Sequence, residues 1–312
     1  MHEDFAVNAT ASHAPTLTHQ PRTPRPRSVS ITPQKLDYRY PESMPQYWFD
    51  NDPFLTQFWT AFAGQFPQGE KFLMQSARLF RDQIKGDARL SKEVAGFIGQ
   101  EAHHSQAHQA LNRFLAQRGT PTEYMDRTVK SMLEWICARI SERDQMAMTA
   151  ALEHFTSMFG SLALEHPEVL EQVHPSIRPL FLWHAIEEVE HKAVAFDLYQ
   201  AVDGSHLRLM RAYLLSTALL LITTGWFQAV LMASDGSLFN WRSHAKGLRW
   251  MFGGGRKAGY VRRMMPDFLD FFRRDFHPWQ NDNSAYITHW RPVLERLLAS
   301  ANDVGTPAAQ HA

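Results

Sequence analysis

Gly99-Gln-Glu-Ala-His-His-Ser-Gln-Ala-His108 and His184-Ala-Ile-Glu-Glu-Val-Glu-His191 are the two stretches that decide the fold. Each helical residue advances about 100° around the axis. Glu101 and His104 therefore share one face, His108 falls on the same stripe, and His103 points the other way. Phe97 and Leu115 extend that stripe with apolar side chains, so a carboxylate and an imidazole sit in the middle of a core-facing row. In the second stretch His184, Glu188 and His191 share a face at spacings of four and three, with Glu187 at its edge and Glu190 pointing away.

A lone Glu-x-x-His on a helix is ordinarily a solvated pair. Two of them, each preceded along the chain by a single glutamate in an amphipathic segment, are a different matter. Glu70 sits among Phe72, Leu73, Met74 and Ala77, and Glu153 shares its face with Thr149, Thr156, Ser157 and Gly160. Carboxylates packed together in an apolar interior repel one another and take up protons. Two metal cations bring such a set to near-neutrality. One glutamate from each of two helices plus a Glu-x-x-His from each of two others is the ligand pattern of ferritin-like di-iron bundles. The expected fold is thus all-α, a ferritin-like four-helix bundle with additional C-terminal helices, one of them strongly hydrophobic. The expected ligands are Glu70, Glu101, His104, Glu153, His184, Glu188 and His191. Glu101, Glu153 and Glu188 are read as catalytic as well as ligating. Oxygen and imidazole donors suit two Fe ions, with Mn or Zn as alternatives. His108 is left between orienting a ligand and filling the core, while His103, His154 and Glu187 are read as structural or supporting.

The rest of the chain fits around this site. Helical patterns run from about Asp52 to Ile84 with an interruption near Pro67, and from Asp87 to Gln117 before Gly119 and Pro121. A third pattern, Thr122 to before Pro167, is long enough for two helices, with Ser141-Glu-Arg-Asp144 resembling a cap between them. A fourth runs from Pro175 to Val202 and ends at Asp203-Gly204. Residues 1–42, rich in Pro, Thr, Ser and Arg, read as a disordered tail. Residues 43–203 read as the bundle, 204–301 as hydrophobic and C-terminal helices packed on it, and 302–312 as a second disordered tail.

Composition narrows the function classes. The 312 residues carry 32 basic and 32 acidic side chains, so no net field favours nucleic acid as a partner. Cys137 is the single cysteine, which excludes disulfide scaffolds and cysteine-ligated metal sites. The N-terminal tail lacks the continuous apolar stretch of a secretory signal, and the expected location is the cytoplasm or the cytoplasmic face of a membrane. Ala212 to Ser234 contains no charge, and from Trp241 to Met265 there are seven basic residues and no acidic one. The apolar stretch is long enough to span a bilayer. It reads equally as a buried core helix, or as a segment lying on a membrane surface with Lys and Arg at the headgroups.

Two resemblances bear on function. Phe97-Ile-Gly-Gln-Glu-Ala-His-His104, Trp183-His-Ala-Ile-Glu-Glu-Val-Glu-His-Lys192 and Phe276-His-Pro-Trp279 resemble a bacterial family of predicted metal-dependent hydrolases, over about residues 40 to 300. The unit His184-x-x-x-Glu188-x-x-His191, with Glu70, Glu101, His104 and Glu153 in matching order, is similar to the ligand set of p-aminobenzoate N-oxygenase-type di-iron enzymes. The second resemblance implies an extra histidine on one iron. The leading expectation is O₂-activating oxidation of a small, apolar or lipid-like substrate, drawing on an electron donor. A two-metal hydrolase using a metal-activated water is the alternative. A non-enzymatic iron-binding or metal-stabilised protein is a third. Monomer and homodimer both remain open.

Overall fold

In a computed structural model, which describes residues 23–36, 38–255 and 259–304, helices follow one another from Pro53 onward. Among the described residues the only β pairing is an isolated antiparallel bridge between Phe49 and Val173. The first helical pattern resolves into α1 (Pro53–Ala63) and α2 (Phe66–Arg78), parted at Gly64-Gln65 with Pro67 in the first turn of α2. Proline is at home there because the first-turn N–H has no helical acceptor. The second is α3 (Ala88–Gln117), whose start is set by Asp87 accepting from the Leu90 backbone N–H at 2.9 Å. It stops at Gly119, whose φ of 88° favours glycine. The third pattern is indeed two helices, α4 (Thr122–Cys137) and α5 (Glu142–Glu165), with Ser141 capping α5.

After a short α6 (Pro167–Gln172), the fourth pattern divides into α7 (Arg178–His191) and α8 (Val194–Val202). The break falls at Lys192-Ala193, immediately after the last candidate ligand. Lys192 is buried there, donating to the Asn281 carbonyl at 2.6 Å and to Asn283 Oδ1 at 2.8 Å, with its ammonium over the Trp279 ring. Next come α9 (His206–Ser234), α10 (Trp241–Phe252), α11 (Tyr260–Asp270) and α12 (Ser284–Val304). The C-terminal helix thus runs past 301, and residues 305–312 lie outside the described residues.

Helices α2, α3, α5 and α7 form the bundle that matters for the site: α2 packs on α3 and α5, and α7 on α5 and α3. Two apolar layers divide along it. One holds Phe97 of α3, Ala150 of α5 and Val194 of α8; the other holds Leu111 of α3, Leu162 of α5 and Leu182 of α7. Between them on α3 lie Glu101, His104 and His108, and on α5 lies Glu153. The polar layer is held by hydrophobic contacts on both sides, each fully buried Leu or Phe contributing roughly 1.5–3 kcal/mol.

Gly160 allows α5 and α7 to approach at this level. A Cβ placed on it would lie 3.0 Å from the Ala185 carbonyl oxygen and 3.2 Å from Glu188 Cβ. Gly160→Val is expected to cost about 1–3 kcal/mol by overpacking and to lower metal content by displacing Glu188. Thermal unfolding together with metal analysis would check both effects.

The N-terminal segment departs from the expected tail. Val29 is buried, and Ile31 and Pro33 pack against Gly96 and Gly99 of α3, where a side chain would collide with them. Tyr38 donates to the Ser176 carbonyl at 2.8 Å. Tail-like composition did not reveal this, because the receiving groove is made by missing side chains on α3. Residues 1–22 lie outside the described residues.

Candidate metal centre

The spacing of the ligating types along each helix brings all seven sequence-predicted residues to one place. Glu70 comes from α2, Glu101 and His104 from α3, Glu153 from α5, and His184, Glu188 and His191 from α7. Each is buried. Glu101 lies centrally: its Oε1 is 3.2 Å from His104 Nδ1 and 3.3 Å from His191 Nε2. Glu188 also faces two ways. Its Oε1 lies 2.7 Å from His184 Nε2 and 3.6 Å from His104 Nδ1, while its Oε2 is 3.6 Å from His191 Nε2. Glu70 closes one end, 3.8 Å from His184 Nε2, and Glu153 the other, 3.2 Å from His191 Nε2.

The electrostatics are those of a cluster in need of cations. Both oxygens of Glu70, Glu101 and Glu153, Oε2 of Glu188, Nδ1 of His104 and Nε2 of His191 are buried without a hydrogen-bond partner. Such groups are costly to strand away from water. Burial and the charges of Glu188 and Glu153 hold the Glu70 carboxyl well above its usual range. Burial and Glu153 do the same to Glu101, and burial pushes Glu153 up to about 7 against the pull of His191. Burial alone would raise Glu188, but the hydrogen bond from His184 and the nearby charge of His191 outweigh it and hold it well below. Burial would depress His191, but Glu153 and Glu188 keep it well above the usual imidazole value. His104 is held well below by burial and the neighbouring His184. Four ionised carboxylates would carry four negative charges, which two divalent cations balance. Several triplets of these residues place their donor atoms within 4.8 Å of one another, among them His104 with His184 and Glu188, and Glu101 with Glu188 and His191. The donor set therefore fits a metal cofactor on its chemistry as well as on its unpaired atoms.

Each imidazole is oriented from behind by a residue that fixes its other ring nitrogen. His104 Nε2 lies 3.1 Å from Glu187 Oε2, and Glu187 also accepts from Trp183 Nε1 at 3.0 Å. His184 Nδ1 lies 2.8 Å from His108 Nε2, which assigns His108 a supporting place. His191 Nδ1 lies 3.1 Å from Gln100 Oε1, leaving Nε2 directed at the carboxylates. Gln100 in turn donates to Glu190 Oε2 at 3.0 Å, and Glu190 pairs with Arg291 of α12. His154 turns to the opposite side of α5, bonded to the Asp267 carbonyl and stacked on Phe271. Such partners behind a ligand typically carry 10- to 100-fold in metal affinity. Gln100→Leu should weaken metal binding by about that factor with little loss of fold, measurable by competition with a chromophoric chelator.

The sequence reading missed the Gln100–Glu190–Arg291 chain. The helix wheel turns Glu190 away from the ligand face, and only the structure shows that every residue from Leu182 to Tyr199 is buried, so that the Glu190 carboxylate needs a partner as much as that of Glu188.

A narrow cavity opens from the cluster toward α9. Glu70, Glu101, His184 and Glu188 form its inner end, and Leu73, Leu133, Met148, Leu152 and Leu220 form much of its wall. Thr156, one turn from Glu153, lies at its edge.

A family model described as a predicted metal-dependent hydrolase matches residues 32–282. No curated protein and no solved structure matches the chain.

Proposed function

We propose, for a chain that belongs to the family of predicted metal-dependent hydrolases, that the buried cluster holds two iron ions and serves O₂-dependent oxidation of a small apolar substrate. The observation that carries this reading is the set of unpaired buried donors at the inner end of an apolar cavity. Glu70, His104 and His184 would hold one ion, Glu153 and His191 the other. Glu101 and Glu188 stand between the two, each within reach of both groups. When bound, a pair of ferrous ions supplies electrons to O₂. A hydroxylation of this class consumes R–H, O₂, two electrons and two protons and yields R–OH and water, so an electron-donor protein is part of the proposal.

The protein's own residues supply the surroundings. Glu187, His108 and Gln100 fix which imidazole nitrogen faces the ions. Leu73, Met148 and Leu152 keep bulk water from the reacting side, which protects a reactive oxidised centre from side reactions. The same wall offers no charged group to hold a phosphoryl or carboxylate substrate.

The family's description favours a second reading, hydrolysis by a metal-activated water. The two readings separate in one experiment. The protein is expressed with iron, purified without oxygen, and assayed for metals per chain by mass spectrometry. O₂ is then admitted while visible and Mössbauer spectra are recorded. About two irons per chain and conversion to a spin-coupled diferric product support oxidation. Two zinc or manganese ions with no response to O₂ would move the assignment to hydrolysis. A chain that binds no metal would overturn both.

A further inference from the structure

Helix α9 is inside out for a helix of a water-soluble bundle. Its polar side chains point inward: Thr223 donates to Gln65 Oε1 at 2.6 Å, Gln65 donates to Thr224 Oγ1 at 2.9 Å, and Gln228 donates to the Phe54 carbonyl at 3.0 Å. Its large apolar side chains point outward. Leu214, Leu215, Leu221, Ile222 and Trp226 fall on one face and are all exposed, Ile222 to 70%. No charge interrupts that face between Arg211 and the helix end. A solvated helix face normally carries charged and polar side chains, and exposed apolar patches of this extent mark interaction sites.

The following helix has the same character on a smaller scale. Trp241, Leu248 and Phe252 recur at helical spacing along an exposed stripe of α10, Trp241 exposed to 72%, while Arg242 and Arg249 lie exposed on its flank. An apolar stripe ending in aromatic residues and bordered by Arg is the pattern of a helix lying in the headgroup region of a membrane.

We infer that the exposed faces of α9 and α10 dock this protein onto the surface of an anionic lipid bilayer. The basic border of α10 fits the charge of such a leaflet, whereas a second copy of the chain would set that border against its own like. The helix passes the length and composition test for a span, with 33% of its most apolar stretch buried in the protein. Yet Tyr213 and Ser216 near its start and Phe227 and Leu231 near its end are all buried against the bundle. Driving α9 across a bilayer would carry the bundle's polar residues into hydrocarbon, so it lies in the plane. This placement does not depend on the reaction at the metal centre.

The test is co-sedimentation of the metal-loaded full chain with vesicles of phosphatidylcholine alone or with one quarter phosphatidylglycerol. The native protein should pellet with the anionic vesicles, and less so with neutral ones or at high salt. L215E/I222E should lower the bound-to-free ratio at least about tenfold. R242Q/R249Q should lower binding to anionic vesicles by about fivefold for each arginine removed, leaving neutral vesicles unaffected. Circular dichroism and metal content verify that each variant is folded. Failure to pellet with any vesicle would overturn the inference, as would pelleting indifferent to both variant pairs. A dimer that L215E/I222E splits, with no vesicle binding, would make the occupant a second copy. Resistance to an alkaline carbonate wash would make the helix a span.

Discussion

On the proposed two-iron reading, Glu101→Gln is expected to leave the chain folded, to reduce bound metal from two ions to at most one, and to slow reaction of the ferrous protein with O₂ by at least about a hundred-fold. Glu101 is fully buried, and its Oε1 lies within 3.3 Å of imidazole nitrogens from two different helices. No other carboxylate can take its place: Glu70 and Glu153 lie toward opposite ends, and Glu188 is already engaged by His184 at 2.7 Å. Glutamine keeps the volume but offers one neutral oxygen and an NH₂ that cannot ligate, so the charge that balances the ions is lost. The same substitution should have the opposite sign in the metal-free protein. Burial and Glu153 make ionised Glu101 costly to fold around, and removing the ionisable group removes that cost. Metal-free Glu101→Gln should therefore be more stable than the metal-free native chain at pH 8, by on the order of 1 kcal/mol or more. Metal analysis, stopped-flow oxidation and thermal unfolding with and without chelator cover the three effects. A variant that binds two ions as the native chain does would overturn the assignment of Glu101.

The helices and the seven residues of the cluster were legible for one physical reason. A helix that buries one face reports that face in its sequence, and Glu101, His104, Glu188 and His191 stand where apolar residues should be. Nothing local needed to be guessed beyond the 3.6-residue period. The cap at Ser141 was equally readable, because it acts within three residues of itself. What failed to show were features set by distant partners. The break after His191 depends on Lys192 finding Asn281 and Asn283 about ninety residues away. Glu190 looked solvent-facing on its helix wheel, since α12, which supplies Arg291, is a third of the chain further on. The groove that holds Ile31 and Pro33 is formed by glycines, which carry no hydropathic signal. For α9 the sequence supplied the apolar length. Only the structure shows that Thr223, Thr224 and Gln228 turn inward and the leucines outward.

Between pH 7 and 8 the metal-free protein should lose stability while the metal-loaded protein stays nearly level. In the metal-free chain, burial pushes Glu187 up to about 8, while Glu70 and Glu101 are held well above the usual carboxylate range. Their unfolded forms are already ionised at pH 7, so the folded state holds protons that the unfolded state has released. Stability from a raised group is complete below its unfolded value and is lost as pH climbs through its folded value. His191, also held above its ordinary value, contributes with the same sign. The groups that oppose are spent before this window. Glu188, His104 and His154 are held below their ordinary values, and what they add to stability is already present by pH 7. Each proton released by folded Glu or His in this range costs up to about 1.4 kcal/mol per pH unit. Glu70, Glu101 and His191 must be deprotonated to bind metal, so cation binding releases their protons and tightens by up to about tenfold per pH unit for each. The gap in melting temperature between metal-loaded and chelated protein should accordingly widen from pH 7 to pH 8, with the chelated curve falling. Parallel curves would mean that the cluster titrates independently of any metal, and the two-ion assignment would fall with it.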